Sequence, residues 1–390
     1  MKIAILHSGD LNNVSPGGVS QYIEKIIKYN KDNEITLYGV VEENSEYLIG
    51  NEYIREVEGS KFRFIPIQTN KRKPLSIYYF FNILKLSREL DNYDIIYVQR
   101  MEYALPFTFS KNKNKLIMAV HGSGKYSYIF WGKLVGTIYN WLERLAIRNC
   151  KKVIILLKRE EFGLPYYITK YSKFKDKFRY GKVPIDTGVF KAVNKKSVRE
   201  KHNFNEKDNI LIYFGRLDNN PKRVLLIPEI VKKVSEEVDN IKCIIIGDGE
   251  DKEILKKKCV DLCVKNRIIF YDKLNHGDKL MELVNCADLS MILSTFEGIC
   301  MSALESLACS VPVIATDVGD VNEYIYDKYN GIIVSNSDDE MVIRSFSKEI
   351  IDYFKKNKEV NRDDIYMKYS GEVAMKELDD IFYEVKNIEK

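Results

Sequence analysis

The sequence predicts an α/β protein of two domains, each built on a doubly wound parallel sheet. Three observations lead there. The chain has 390 residues, too many for one ordinary hydrophobic core and suited to two. Short β-branched runs alternate with longer helical patterns, which reads as successive βαβ units. No repeat of solenoid period and no long low-complexity tract is evident.

In the first half, Ile3–His7 reads as a buried strand. The loop 8–17 follows, and Gly18–Tyr29 then places Val19, Tyr22, Ile23, Ile26 and Ile27 on one helix face. Further strands are expected at Ile35–Val41, Asp94–Gln99, Leu116–Val120 and Val153–Leu157, with amphipathic helices at Leu75–Leu90 and Leu134–Arg148. In the second half, strands are expected at Ile210–Phe214, Cys243–Ile246, Ile268–Tyr271, Leu289–Leu293, Pro312–Ala315 and Gly331–Val334. Helical stretches lie between them near Val224–Val238, Glu250–Val264, Asp278–Asn285, Met301–Ala308 and Asn322–Tyr326. Such sheets bind ligands at the carboxyl ends of their strands.

Pro184, Gly188 and the polar run Asn194–Glu200 mark a boundary. The domains are expected at 1–183 and 184–365. A tail, 366–390, carries a last helix over about Val373–Val385 that could pack on either domain and is assigned to the first.

Composition narrows the class. Hydrophobic residues make up 45% and charged residues 30%, the balance of a soluble globular chain. The apolar run at the start is only four residues long before a polar loop, so it reads as a strand and not as a leader. No apolar run nears the roughly 20 residues that a membrane helix needs. The seven cysteines include no C-x-x-C pair, which points to buried reduced thiols in a cytoplasmic protein and away from zinc or a disulfide framework. The net charge of +5 is uneven: residues 1–185 hold 30 Lys and Arg against 18 Asp and Glu. A basic half suggests an anionic partner.

Four short constellations could carry chemistry. Gly215-Arg216, with Lys222 beyond, follows a predicted strand. Two cations at a strand's carboxyl end suit a diphosphate, Arg as a planar fork and Lys as a point charge; a solvated loop would look the same. Phe296-Glu297-Gly298-Ile299-Cys300-Met301 with Glu305 opens a helix. Free N–H groups there suit phosphate or sugar oxygens, and two carboxylates can grip vicinal hydroxyls; an ordinary capped helix is the plainer alternative. His121-Gly122-Ser123-Gly124 ends another strand, placing an imidazole near a substrate or merely in a turn. Gly17-Gly18 could admit an acceptor or a phosphate at a helix start, and Arg100, at the end of the Asp94–Gln99 strand, joins them as a candidate for that loop site. Gly247-Asp248-Gly249-Glu250 reads as a tight turn. No Asp-x-Asp occurs, so the usual metal-diphosphate motif is missing.

In their order these segments resemble glycosyltransferase family 4, a group with the GT-B architecture of two Rossmann-like domains facing a central cleft. The matching residues are Tyr213-Phe214-Gly215-Arg216-Leu217 with Lys222, Ile246-Gly247-Asp248-Gly249, and Ser294-Thr295-Phe296-Glu297-Gly298 with Glu305-Ser306-Leu307-Ala308. Pro312-Val313-Ile314-Ala315-Thr316 with Val318-Gly319 and Glu323 completes the series. The resemblance covers about 183–334 well; before it, only Gly17-Gly18 and His121 match. It implies a retaining transferase that needs no metal or other cofactor and uses a UDP- or GDP-linked sugar as co-substrate. Arg216 and Lys222 would bind the diphosphate, Glu297 the transferred sugar and Glu305 the ribose. Gly215 and the backbone around Gly298, Ile299, Cys300 and Met301 would complete the donor site, and His121 would touch the sugar. The family often has Gly where Arg223 and Ser310 stand, and a small residue in place of Cys300, which could reshape the sugar pocket.

The acceptor would then be a glycan or lipid-linked molecule met by the basic half, as in bacterial surface polysaccharide synthesis. Lys71-Arg72-Lys73 ahead of Leu75–Leu90, and Lys170–Lys182 with Tyr171, Phe174, Phe178 and Tyr180 interleaved, suit peripheral docking on the inner face of an anionic membrane or plain solvated faces. No motif supports nucleic acid. The rival functions are a nucleotide-sugar epimerase, a non-catalytic partner subunit, and a lipid- or polyanion-binding module.

Overall fold

The computed structural model describes all residues but 12–17, 72–73, 87, 123–124, 275–276, 327–329, 356–363 and 388–390, with the backbone alone at 125–131 and 364–365. The chain forms two compact units. One comprises Met1–Pro184 with Gly371–Lys390, and the other Ile185–Ser370.

The first unit runs β1 (Lys2–Leu6), α1 (Gly18–Tyr29), β2 (Glu34–Val41), β3 (Tyr53–Val57), β4 (Ser60–Thr69), α2 (Leu75–Lys85), β5 (Ile95–Val98), β6 (Leu116–Val120), α3 (Lys125–Asn149), β7 (Lys152–Ile155), α4 (Leu164–Lys170) and β8 (Phe178–Tyr180). Its eight strands lie in the order β3-β4-β2-β1-β5-β6-β7-β8. All described pairs are parallel except β3–β4, which is antiparallel. That hairpin is absent from the sequence expectation. Its turn, Glu58-Gly59, takes positive φ at both residues, 45° and 88°, and a Glu in the first position hides the usual hairpin signal.

The second unit runs α5 (Lys195–Lys201), β9 (Asn209–Phe214), α6 (Asn219–Lys222), α7 (Ile227–Ser235), β10 (Ile241–Ile246), α8 (Lys252–Asp261), β11 (Ile268–Tyr271), α9 (Asp278–Cys286), β12 (Leu289–Ile292), α10 (Met301–Ala308), β13 (Val313–Thr316), β14 (Gly331–Val334) and α11 (Asp339–Lys355). Its six strands are parallel, in the order β11-β10-β9-β12-β13-β14. Both faces are covered, so successive residues of one strand feed different cores. Ile210, Ile212 and Phe214 enter one cluster, and Leu211 and Tyr213 the other. This double burial is why the strands read as continuous apolar runs. The last helix, α12 (Gly371–Asn387), belongs to the first unit, where it packs on α1.

Several elements differ from expectation. Asn194–Glu200, read as linker, is mostly α5: Asn194 caps it by accepting from Ser197 N–H at 3.0 Å. Its Arg199 is buried and bonds the Cys286, Glu206 and Asp208 carbonyls. The helix expected to reach Leu90 stops at Lys85, and Leu90 belongs to a separate 3-10 turn, Glu89–Asn92. α3 starts nine residues before Leu134, with a break at Gly132, φ 79°. The Asn322–Tyr326 stretch is a 3-10 turn, Val321–Glu323. Six cysteines are buried, but Cys263 is exposed.

Candidate active site

In the second sheet, β9 neighbours both β10 and β12, so chain progression reverses between β9 and β12. Loops that follow these two strands diverge and leave a crevice at their carboxyl ends. The Gly215–Lys222 and Ser294–Cys300 segments are those loops.

The first loop is braced from below. Gly215 N–H donates to the Ile246 carbonyl at 3.0 Å and Leu217 N–H to that of Asp248 at 2.9 Å. A Cβ on Gly247 would lie 1.9 Å from the Gly215 carbonyl oxygen, so only glycine lets the two loops meet. Tyr213 Oη donates to the Arg216 carbonyl at 2.8 Å. The Arg216 guanidinium turns outward, 65% exposed, and pairs with Asp218 at 2.6 Å.

The second loop is tied to the first through Thr295 N–H, which donates to the Pro221 carbonyl at 2.8 Å. Glu297 Oε1 accepts from Lys222 Nζ at 2.6 Å and from Ser294 Oγ at 2.6 Å. Lys222 and Glu297 are 22% and 12% exposed, so both keep a route to a ligand. Gly319, at φ 52°, supports this loop: a Cβ there would sit 2.0 Å from the Gly298 carbonyl oxygen. Burial, then the carboxylates of Glu297 and Asp218, hold the Tyr213 phenol well above its usual range, against the opposing charge of Arg216. One buried hydroxyl thus senses all three charges.

Lys222 and Glu297 are therefore brought together, and Gly215 and Gly298 lie on their loops. Arg216 is engaged with Asp218 instead. Glu305 is 2% exposed, in the stretch Ala303–Ala308 of α10 where every residue is buried. Ile299 and Met301 lean on the core, and the Cys300 side chain lies inside it. Burial, then the nearby Glu297 charge, pushes the Cys300 thiol up to about 12, so it is a neutral packing group. Its N–H donates to Tyr324 Oη at 3.1 Å. Tyr324 was not singled out in the sequence, having no motif of its own, and Ser294 was named only as the first residue of the Ser294–Gly298 match, with no role.

Arg223 and Ser310 both have left-handed backbones, φ 51° and 57°. These are the positions where the resembled family often has Gly, and the geometry supplies the reason. Ser310 closes α10: its N–H donates to the Leu307 carbonyl and Val311 N–H to that of Ser306, both at 2.9 Å, the paired bonds of a glycine-type helix stop. Arg223 spans to Asn336 Oδ1 at 2.9 Å and to the Ser337 carbonyl at 2.7 Å.

The first unit has its own switch point, between β1 and β5. His7, Arg100 and His121 follow β1, β5 and β6 there. His121 Nε2 lies 2.9 Å from Gln99 Oε1 and its ring meets Tyr22 edge-on. His7 Nε2 lies 3.0 Å from Ser20 Oγ. Burial, then Arg100, lowers His7 to about 4; burial, then His7 and Arg100, lowers His121 to about 3. Both imidazoles are neutral at pH 7. His7 Nδ1 and Gln99 Nε2 are buried with no hydrogen-bond partner among the described residues. His7 shares the strand-end position of His121 and could have been singled out by the same reasoning. Arg100 pairs with Glu102 at 3.1 Å. Gly18 is exposed at the start of α1, while Gly17, Ser123 and Gly124 lie outside the described residues.

The basic run Lys170–Lys182 is used differently from expectation. Lys170 pairs with Glu143, Lys177 binds the carbonyls of Ile147, Arg148 and Cys150, Arg179 pairs with Glu384, and Lys182 with Glu377. Tyr171 and Phe178 are core residues. Of the cations in the run, Lys173 and Lys175 are the exposed ones. Arg72 and Lys73 lie outside the described residues. Among the described residues, no helix is long and apolar enough to cross a membrane, and no three His, Cys, Asp or Glu cluster to hold a metal ion.

Residues 194–364 match the family described as Glycosyl transferases group 1. An uncharacterized glycosyltransferase of Methanocaldococcus jannaschii is 28% identical over 194 residues, covering 48% of this chain and 49% of that one. The chain spans about half the length of several curated glycosyltransferases that it matches. Among solved structures, sucrose-phosphate synthase from Thermosynechococcus elongatus superposes with a TM-score of 0.75 at 14% identity, covering 98% of each chain. Anabaena HepE in complex with UDP and glucose superposes with a TM-score of 0.70 at 15% identity, covering 98% of this chain and all of that one. The fold is that of the GT-B glycosyltransferases, two α/β units with mainly parallel sheets. Within the second unit, residues 194–364 are thus similar to a family of enzymes that transfer glycosyl groups.

Proposed function

We propose that the chain is a retaining glycosyltransferase that moves a sugar from a UDP- or GDP-linked donor to a hydroxyl of a glycan or lipid-linked acceptor, without a metal. The Lys222–Glu297 pair at the switch point carries this reading. A cation and a carboxylate meet there at 2.6 Å, each partly open, beside a loop held tightly enough to be pre-organised. HepE, with UDP and glucose bound in the same fold, supports a nucleotide-sugar donor by analogy.

In this reading the donor diphosphate displaces the carboxylate from Lys222 and draws Arg216 from Asp218. Both cations then offset charge on the leaving diphosphate. The acceptor oxygen bonds to the anomeric carbon as the bond from that carbon to phosphate oxygen breaks. The hydroxyl proton passes to the departing phosphate. Glu297, released from Lys222, accepts hydrogen bonds from the sugar hydroxyls, and Glu305 from the ribose. Neutral His121 and Gln99 in the first unit offer groups suited to hydroxyls. The basic first unit meets an anionic membrane, where a lipid-linked acceptor would reside.

A thermal-shift screen of nucleoside diphosphates and nucleotide sugars tests the assignment. A ligand at 100 times its dissociation constant stabilises the fold by about 2.7 kcal/mol. No shift with any of them would sink the donor site. Release of an epimerised nucleotide sugar without acceptor would convert the assignment to an epimerase.

A further inference from the structure

We propose that the outer face of α2, the 3-10 turn Leu105–Phe109 and α3 is a docking surface for an anionic lipid bilayer. This deepens the membrane contact proposed above and rests on it, and it centres that contact on exposed apolar side chains, with Lys170 and Lys173 of one basic run beside them.

α2 exposes Ile77, Tyr78, Phe81 and Leu84, and α3 exposes Leu134, Val135, Ile138 and Trp141. Both sets follow the spacing i, i+1, i+4, i+7, one outward stripe of a helix. Both helices pack on the same Leu105–Phe109 turn, and Phe109 on that turn is 98% exposed. Nine large apolar side chains thus stand on three adjoining elements. Scattered exposed apolar residues need no explanation, but a grouped set does.

Charge selects the occupant. α2 has no acidic residue, and the sole carboxylate of α3, Glu143, is buried, where it accepts from Tyr167 and Tyr171 and pairs with Lys170. The exposed charges of the described side chains on these helices are Lys85, Lys133, Arg144 and Arg148. Beside Trp141, an open cavity of about 450 Å³ is lined by Arg144, Lys170, Lys173 and Phe174. An aromatic-rich apolar stripe edged by cations and lacking exposed carboxylates is complementary to lipid tails beneath anionic headgroups. A phosphate headgroup fits the cationic cavity while Trp141 sits at the interface.

Flotation of the full chain with vesicles tests the surface, using phosphatidylcholine alone or mixed with phosphatidylglycerol. Binding is expected only to the mixed vesicles. Phe81→Ser with Trp141→Ser should weaken it about tenfold or more. Arg144→Gln with Lys173→Gln should weaken it about 25-fold, fivefold for each charge. In Trp131→Phe, Trp141 is the sole tryptophan, and its emission should shift to the blue on the mixed vesicles. The proposal is overturned by equal binding to both vesicles, by no binding, by unchanged binding of the apolar variant, or by a solution dimer that this variant dissolves. Nucleoside diphosphate affinity of all variants should stay at the wild-type level, so failure of the surface and failure of the donor site appear in separate measurements.

Discussion

Lys222 Nζ and Glu297 Oε1 lie 2.6 Å apart, and the two residues come from loops that follow adjacent parallel strands. The carboxylate thus occupies the cation. On the proposed assignment, a diphosphate competes with Glu297 for Lys222, and binding of the donor frees Glu297 for its sugar. Lys222→Ala should lower the rate of transfer on the order of 10²- to 10³-fold. The double variant with Glu297→Ala should lose less than the product of the two single losses, because each residue acts through the other. Steady-state kinetics of the four proteins checks this; strict multiplicativity would show that the pair is incidental.

The left-handed positions give stability predictions of opposite sign. Ser310→Gly should stabilise the protein by about 1 kcal/mol, because glycine meets φ 57° without strain while the helix-closing bonds are backbone. Arg223→Gly relieves the same strain but removes bonds to Asn336 and Ser337 and an ion pair with Asp339 at 2.9 Å. A net loss of about 1–2 kcal/mol is expected. Urea unfolding separates the two, and a matching sign for both would contradict the account.

Gly247 and Gly319 should tolerate nothing larger. An added Cβ would lie 1.9 Å and 2.0 Å from backbone oxygens of Gly215 and Gly298, and backbone cannot swing aside as a side-chain tip can. Gly319→Ala should cost about 2–4 kcal/mol and displace the loop that holds Glu297. A stable, fully active Gly319→Ala would show that this support is dispensable.

His7 and His121 give a pH dependence. Their folded values, about 4 and about 3, lie below the ordinary 6.5. The unfolded chain therefore binds protons more readily between those values and 6.5. Their contribution is fully present above pH 6.5 and is lost as pH falls toward 4, at up to about 1.4 kcal/mol per unit for each group. His121→Asn should flatten the fall in stability measured by denaturant titration from pH 7 to pH 4.5. An unchanged slope would contradict the lowered value of His121.

Much of this was legible in the residues. In the second unit, burial on both faces makes each strand a continuous apolar run, and the six strands fall close to where those runs lie. The Lys222–Glu297 meeting could be anticipated only as shared membership of a crevice, since 75 residues separate them. The β3–β4 hairpin escaped notice because Glu58 occupies a turn position that usually shows Asn or Asp. α5 escaped because a polar run gives no periodic signal; its anchor, Arg199, is a buried cation whose carbonyl partners come from other segments. The basic run Lys170–Lys182 shows the converse. Charge in a sequence does not reveal which cations close helix ends or pair within the fold, and Lys177 and Arg179 do so here.

Calorimetric titration of UDP and GDP, in buffer with a metal chelator, tests the central claim most directly. The account predicts that one of them binds the wild-type protein without divalent ions, that Lys222→Ala weakens binding at least tenfold, and that Glu297→Ala binds as well as or better than wild type because its cation is released. Binding that appears only with Mg²⁺, or that is unchanged in Lys222→Ala, would contradict it.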